Sequence, residues 1–121
     1  MNLRMKIKKN IVGEKSKEFA LRTIKVYNYL NSEKNEHIMS KQLLRSGTSI
    51  GANIRESRRA QSEADFYSKL NIALKEADET AYWLELLNES GYIDKRAFDS
   101  IYGDCEELIK LLAAITKNQK N

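Results

Sequence analysis

Residues 66–87 read F-Y-S-K-L-N-I-A-L-K-E-A-D-E-T-A-Y-W-L-E-L-L. Within them Phe66, Leu70, Ala73, Ala77, Thr80, Leu84 and Leu87 alternate steps of four and three. That spacing lays one apolar seam along a helix, the pattern of helices packed side by side. Ser62 followed by Asp65 resembles a capping box, with Asp in place of Glu or Gln. The helix is therefore expected to start at Ser62 and to run to about Ser90. Gly91 fits the position just past the end, with Tyr92 packing back on the last turn.

Further helices flank this one on both sides. Asp94 is the expected N-cap of the next, whose seam is Phe98, Ile101, Cys105, Leu108, Leu112 and Ile115. Upstream, Ser40 is a fitting N-cap, with Met39 and Leu44 placed as a hydrophobic staple. Leu43, Gly47, Ile50 and Ile54 share one face of that helix, with Leu44 and Gly51 beside them. Two glycines inside a helix cost about 1 kcal/mol each relative to alanine. Close approach of a neighbouring helix is the expected compensation. The first helix is expected from Glu14 or Ser16, with Ile24, Tyr27, Leu30 and either Phe19 or Ala20 on its stripe. It should end before the polar stretch Asn31–Glu36, which leaves His37 as a solvated loop histidine. Residues 1–13 lack a helical period. Arg4, Lys6, Lys8 and Lys9 mark them as a loosely attached basic arm. Residues 14–121 then form a single domain, an all-α antiparallel up-down-up-down four-helix bundle with short connections.

Composition agrees. Hydrophobic residues make up 41% of the 121, enough for a core, and the 31% charged residues suit exposed helix faces. Proline, which interrupts helices, is absent. No apolar run approaches a membrane span, and Met1–Lys9 has no apolar stretch behind it to make a secretory signal. A cytoplasmic location is the expectation.

Catalysis finds little support. The one histidine falls in a loop, and the one cysteine, Cys105, on a core seam, where an inert buried thiol is expected. No metal-binding Glu-x-x-His, phosphate loop or dinucleotide fingerprint occurs. No catalytic residue, metal or cofactor is implied. Glu76, Asp78, Glu79, Glu85 and Glu89 read as a solvated acidic face.

Binding has better candidates. The net charge is +4 and the pI about 9.1. Lys41, Arg45, Arg55 and Arg59 fall within about 80° of one another on the second helix and span about 27 Å. Such a line can track a phosphate backbone. It can equally be a solvated face partnered by Glu56 and Glu63. Arg58 projects at the core margin, where an ion pair with another helix is expected ahead of a ligand. On the third helix Ile72, Trp83 and Leu86, with Tyr82 near, lie opposite the seam. They form either a self-association surface or a strip covered by the first or fourth helix.

Two runs carry a family resemblance: S-I-G-A-N-I-R-E at Ser49–Glu56 and K-E-A-D-E-T-A-Y-W-L-E-L-L at Lys75–Leu87. Over residues 16 to 117 the chain resembles the four-helix-bundle proteins called 23S ribosomal-RNA intervening-sequence proteins. It is also similar to the accessory variability determinant of diversity-generating retroelements. The resemblance implies the same bundle, a homopentameric ring and a possible association with nucleic acid or a polymerase. It carries over no catalytic residue. The expectation is a non-enzymatic homo-oligomer that binds DNA or RNA through Lys41, Arg45, Arg55 and Arg59. A scaffold for a protein partner is the alternative.

Overall fold

The computed structural model describes the backbone of residues 3–119 and the side chains of residues 10–119. Four helices follow in order: α1 Leu3–Ser32, α2 Met39–Ser57, α3 Glu63–Glu89 and α4 Lys95–Thr116. Each packs on its neighbours in sequence, and α1 also packs on α4, which closes the bundle. The side-chain pairs run in opposite chain directions at every interface. Gly47 meets Thr23 and Gly51 meets Ser16. Glu56 pairs with Lys69, and Ser46 with Thr80. Tyr102 meets Glu85, and Cys105 meets Ala77. Lys15 pairs with Glu107, and Arg22 with Asp104. The helices are therefore antiparallel.

The α3 and α4 seams are as the periodicity predicts. Leu70, Ala73, Ala77, Thr80, Leu84 and Leu87 are buried, as are Ile101, Cys105, Leu108, Leu112 and Ile115. Ser62 Oγ accepts the Asp65 N–H at 3.0 Å, while the Asp65 carboxylate accepts the Gln61 N–H at 3.1 Å. The box thus closes one residue earlier than the usual reciprocal pattern. At the far end Tyr92 N–H reaches the Leu87 carbonyl and Gly91 N–H the Asn88 carbonyl. Gly91 sits at φ +87°, a left-handed conformation that a side chain disfavours.

Two expectations for the N-terminal half are revised. Helix α1 does not begin at Glu14 but continues through Gly13 back to Leu3. Only residues 1 and 2 of the expected arm lie outside the described backbone. The core stripe of α1 is Val12, Ser16, Phe19, Thr23 and Leu30, all buried, whereas Ile24 is exposed. Small hydroxyl residues replace large apolar ones on this stripe because α2 lies so close. A Cβ placed on Gly47 would stand 2.7 Å from Thr23 Cγ2, too near to coexist with it.

The α2 N-terminus is also capped differently. Ser40 lies inside the helix, and the cap is the buried carboxylate of Glu36. It accepts the N–H groups of Ser40 at 2.7 Å and of Ile38 and Met39 at 3.1 Å each. Burial pushes the Glu36 carboxyl up, but these three donors outweigh it and hold it below its ordinary value of 4.5. His37 remains an exposed loop residue, its ring held between the side-chain oxygens of Asn31 and Asn35.

Three outcomes follow for stability. Replacing Gly47 by Val should cost about 2–3 kcal/mol in urea unfolding, because stiff, buried Thr23 cannot withdraw. Gly103→Ala, on an exposed stretch of α4 with open space around it, should gain up to about 1 kcal/mol. The ionised Glu36 cap contributes fully above 4.5, and its contribution is lost as pH falls through the lower folded value. Glu36→Ala should therefore cost about 1–2 kcal/mol at neutral pH, and the gap to the parent should close in acid unfolding titrations.

Candidate nucleic-acid interface

The predicted basic stripe divides across two flanks of α2. Arg45 turns toward α3, where its guanidinium meets Glu76 at 2.9 Å and also Glu79. Glu79 accepts the Trp83 indole N–H at 3.0 Å as well. That indole, and then Arg45, hold the Glu79 carboxyl below its ordinary value. A cation committed to two carboxylates has little charge left for a phosphate, so Arg45 serves the α2–α3 seam. Lys41, Arg55 and Arg59 are exposed. None of the three has a carboxylate within ion-pair distance among the described residues.

Arg55 lies on the other flank, beside α1. It lines a groove of about 350 Å³ together with Gly13, Ser16, Lys17, Ala20, Thr48, Gly51, Ala52, Ile54 and Arg58. The expected ion pair of Arg58 does not form among the described residues. Instead its guanidinium occupies the notch left by Gly13, where an added Cβ would stand 2.9 Å from Nη2. Lys17, one α1 turn away, also lacks an acidic partner among the described residues. Sequence reading missed Lys17 and the groove, because both depend on the tertiary register of α1 against α2. The available signal was Gly51, whose added Cβ would meet Ser16 Oγ at 3.3 Å.

Charge is segregated across the bundle. Residues 1–59 hold 14 Lys and Arg against 5 Asp and Glu, while residues 60–121 hold 7 against 12. Lys15–Glu107, Arg22–Asp104 and Arg45–Glu76/Glu79 join a cation of the first half to an acid of the second. Lys69–Glu56 runs the other way. The ion pairs between helices thus collect on the α1–α4 and α2–α3 flanks, and the described residues show none across α1–α2.

The apolar strip on α3 is interrupted. Ile72 is 40% exposed and Tyr82 54%, while Trp83 and Leu86 are half-buried. The Arg45 clasp with Glu76 and Glu79 falls between Ile72 and Trp83 along the helix. Cys105 is fully buried and its thiol donates to the Ala77 carbonyl at 3.3 Å. Burial pushes that thiol up to about 12, which leaves it protonated and unreactive at neutral pH. Among the described residues no His, Cys, Asp and Glu group could hold a metal ion, and no helix is long and apolar enough to cross a membrane.

These features define a charge-segregated, antiparallel four-helix bundle with an electropositive groove between its first two helices. The chain belongs to the 23S rRNA-intervening sequence protein family, whose model matches residues 8–114. It is similar to a Bacteroides thetaiotaomicron protein of unknown function from the S23 ribosomal protein family, known from a crystal structure. The two are 58% identical, with a TM-score of 0.90, over 91% of this chain and 98% of that one. No curated protein matches the sequence.

Proposed function

We propose that this chain is a non-enzymatic, self-associating bundle that binds nucleic acid through the outer face of α1 and α2. One observation carries the reading. Lys17, Arg55 and Arg58 line the groove between α1 and α2, and Lys41 and Arg59 are exposed on α2; none of the five has a carboxylate partner among the described residues, whereas Arg45 is neutralised. Unneutralised cations on one face attract a polyanion, and each phosphate contact releases bound counterions. Backbone contacts of this kind position a strand without reading bases. Thr48 and Ala52 lie between Lys41 and Arg59 on α2, so short side chains leave the face open to a phosphodiester chain. The buried thiol of Cys105 and the ring of His37, hydrogen-bonded to Asn31 and Asn35, support a role without catalysis.

Self-association is assigned to the outer face of α3 around Ile72, Tyr82, Trp83 and Leu86. Exposed apolar side chains next to an aromatic pair suit a partner surface, and Tyr82 and Trp83 stack edge to face at 5.4 Å.

Fluorescence-anisotropy titration with labelled single- and double-stranded DNA and RNA tests the binding face. Micromolar or tighter affinity is expected. It should fall with salt at a log–log slope of about 0.7–0.9 per neutralised phosphate. Reversing Lys41, Arg55 and Arg59 to Glu should abolish it with helical circular dichroism retained, while Arg45→Gln should change it by less than about twofold. No binding to any of the four polymers at low salt would sink the reading. For assembly, Ile72→Glu should lower the particle mass in light scattering, and an unchanged mass would remove α3 from the interface.

A further inference from the structure

We infer that the groove between α1 and α2 seats one phosphate group of a phosphate ester, held by Lys17, Arg55 and Arg58. The inference deepens the nucleic-acid reading and rests on the same basic face, but it names a bounded site. At about 350 Å³ the groove lies at the small end of ligand-pocket sizes. Its floor is made of small residues, Gly13, Ser16 and Gly51, so backbone from both helices lies near any occupant.

Three cations line this one groove, and among the described residues none is met by a carboxylate. Like charges gathered around a concave site raise its potential, and an anion relieves their repulsion. A phosphate fits on two counts. It carries up to two charges against three cations. Its oxygens also match the planar fork of arginine, which binds them in pairs. Arg58 is already placed for this, since the missing Cβ of Gly13 leaves its guanidinium room. Two arginines and a lysine around one tetrahedral group repeat the usual division between forked and point-charge donors.

An ester is favoured over the free ion. The groove continues past the cations between Ala20 on α1 and Thr48 and Ala52 on α2. That stretch is uncharged and has space for the group that carries the phosphate. The ester could be a free nucleotide or the 5′-phosphate end of a strand, which share this chemistry.

Isothermal titration calorimetry at low salt separates the sources. The probes are AMP, a 5′-phosphorylated pentanucleotide and the same pentanucleotide without its 5′-phosphate. Two variants accompany the parent. Arg58→Gln removes a charge, while Ala20→Leu keeps every charge and fills the uncharged end of the groove. Circular dichroism checks that both remain folded. AMP and the phosphorylated strand should bind, each variant weakening them at least about tenfold. Tighter binding of AMP would identify a nucleotide as the occupant, and tighter binding of the phosphorylated strand a strand end. Equal binding of both pentanucleotides, unaffected by Ala20→Leu, would overturn the groove yet leave the nucleic-acid reading intact. AMP binding that Ala20→Leu abolishes, without binding of long polymers, would uphold the groove and overturn that reading. No binding of AMP or the phosphorylated strand to the parent protein would overturn the inference.

Discussion

The close contact of α1 with α2 sets the terms for the rest of the molecule. Gly47 against Thr23 and Gly51 against Ser16 bring the two helices nearer than ordinary side chains allow. Each glycine costs about 1 kcal/mol of helix propensity, so the contact must repay that through packing. It does so with buried hydroxyls. Ser16 donates to the Gly13 carbonyl at 2.9 Å and Thr23 to the Phe19 carbonyl at 2.9 Å. These bonds stay within α1, so its polar atoms are satisfied and its surface toward α2 is left smooth. Among the described residues no buried side-chain nitrogen or oxygen lacks a partner.

That contact also decides where charge can go. An interface built from Gly, Ser, Thr and Ala has no room for a long acidic side chain to cross it. The cations at its margin therefore stay unneutralised, while Lys15, Arg22 and Arg45 on the other flanks of α1 and α2 reach acids on α4 and α3. The exposed bridges add little stability individually, since solvent screens pairs as open as Lys15–Glu107. Their consequence is directional, because they draw Lys15, Arg22 and Arg45 away from the α1–α2 face and leave Lys17, Arg55 and Arg58 on it.

Much of the fold was legible because α3 and α4 obey simple periodicity and carry conventional caps. Helix α1 was harder to read. Its buried stripe contains Ser16 and Thr23, which look polar in sequence and are buried only because Gly51 and Gly47 face them. The cap at Glu36 was missed for a related reason. Acids ahead of a helix N-terminus are common, and only the turn through Asn35, at φ 51°, brings this carboxylate back onto three N–H groups. The basic stripe was legible as a list of residues but not as a surface. Helical angles place Arg45 and Arg55 within one sector, yet two carboxylates on α3 claim the first, while the second stays exposed and lines the groove beside α1. Neighbouring helices decide which charges are free, and a single helix cannot report that.

The geometry also makes the two proposed surfaces compatible. Helix α3 packs on α2 and α4, and among the described residues its backbone makes no close approach to α1, so it lies diagonally across the bundle from α1. A partner docked on the outer face of α3 would leave the α1–α2 groove open. Assembly would then multiply the groove without covering it, and weak sites repeated in one particle bind a long polyanion far more tightly than any one of them. A site with only three cations is modest alone, with a salt dependence to match. The Arg45 clasp sits between the two surfaces, tied to Glu76 and Glu79 on α3 while its helix carries Arg55. It holds the binding helix in register with the helix that would carry the assembly contact, which is a structural reason for Arg45 to be arginine without touching a phosphate.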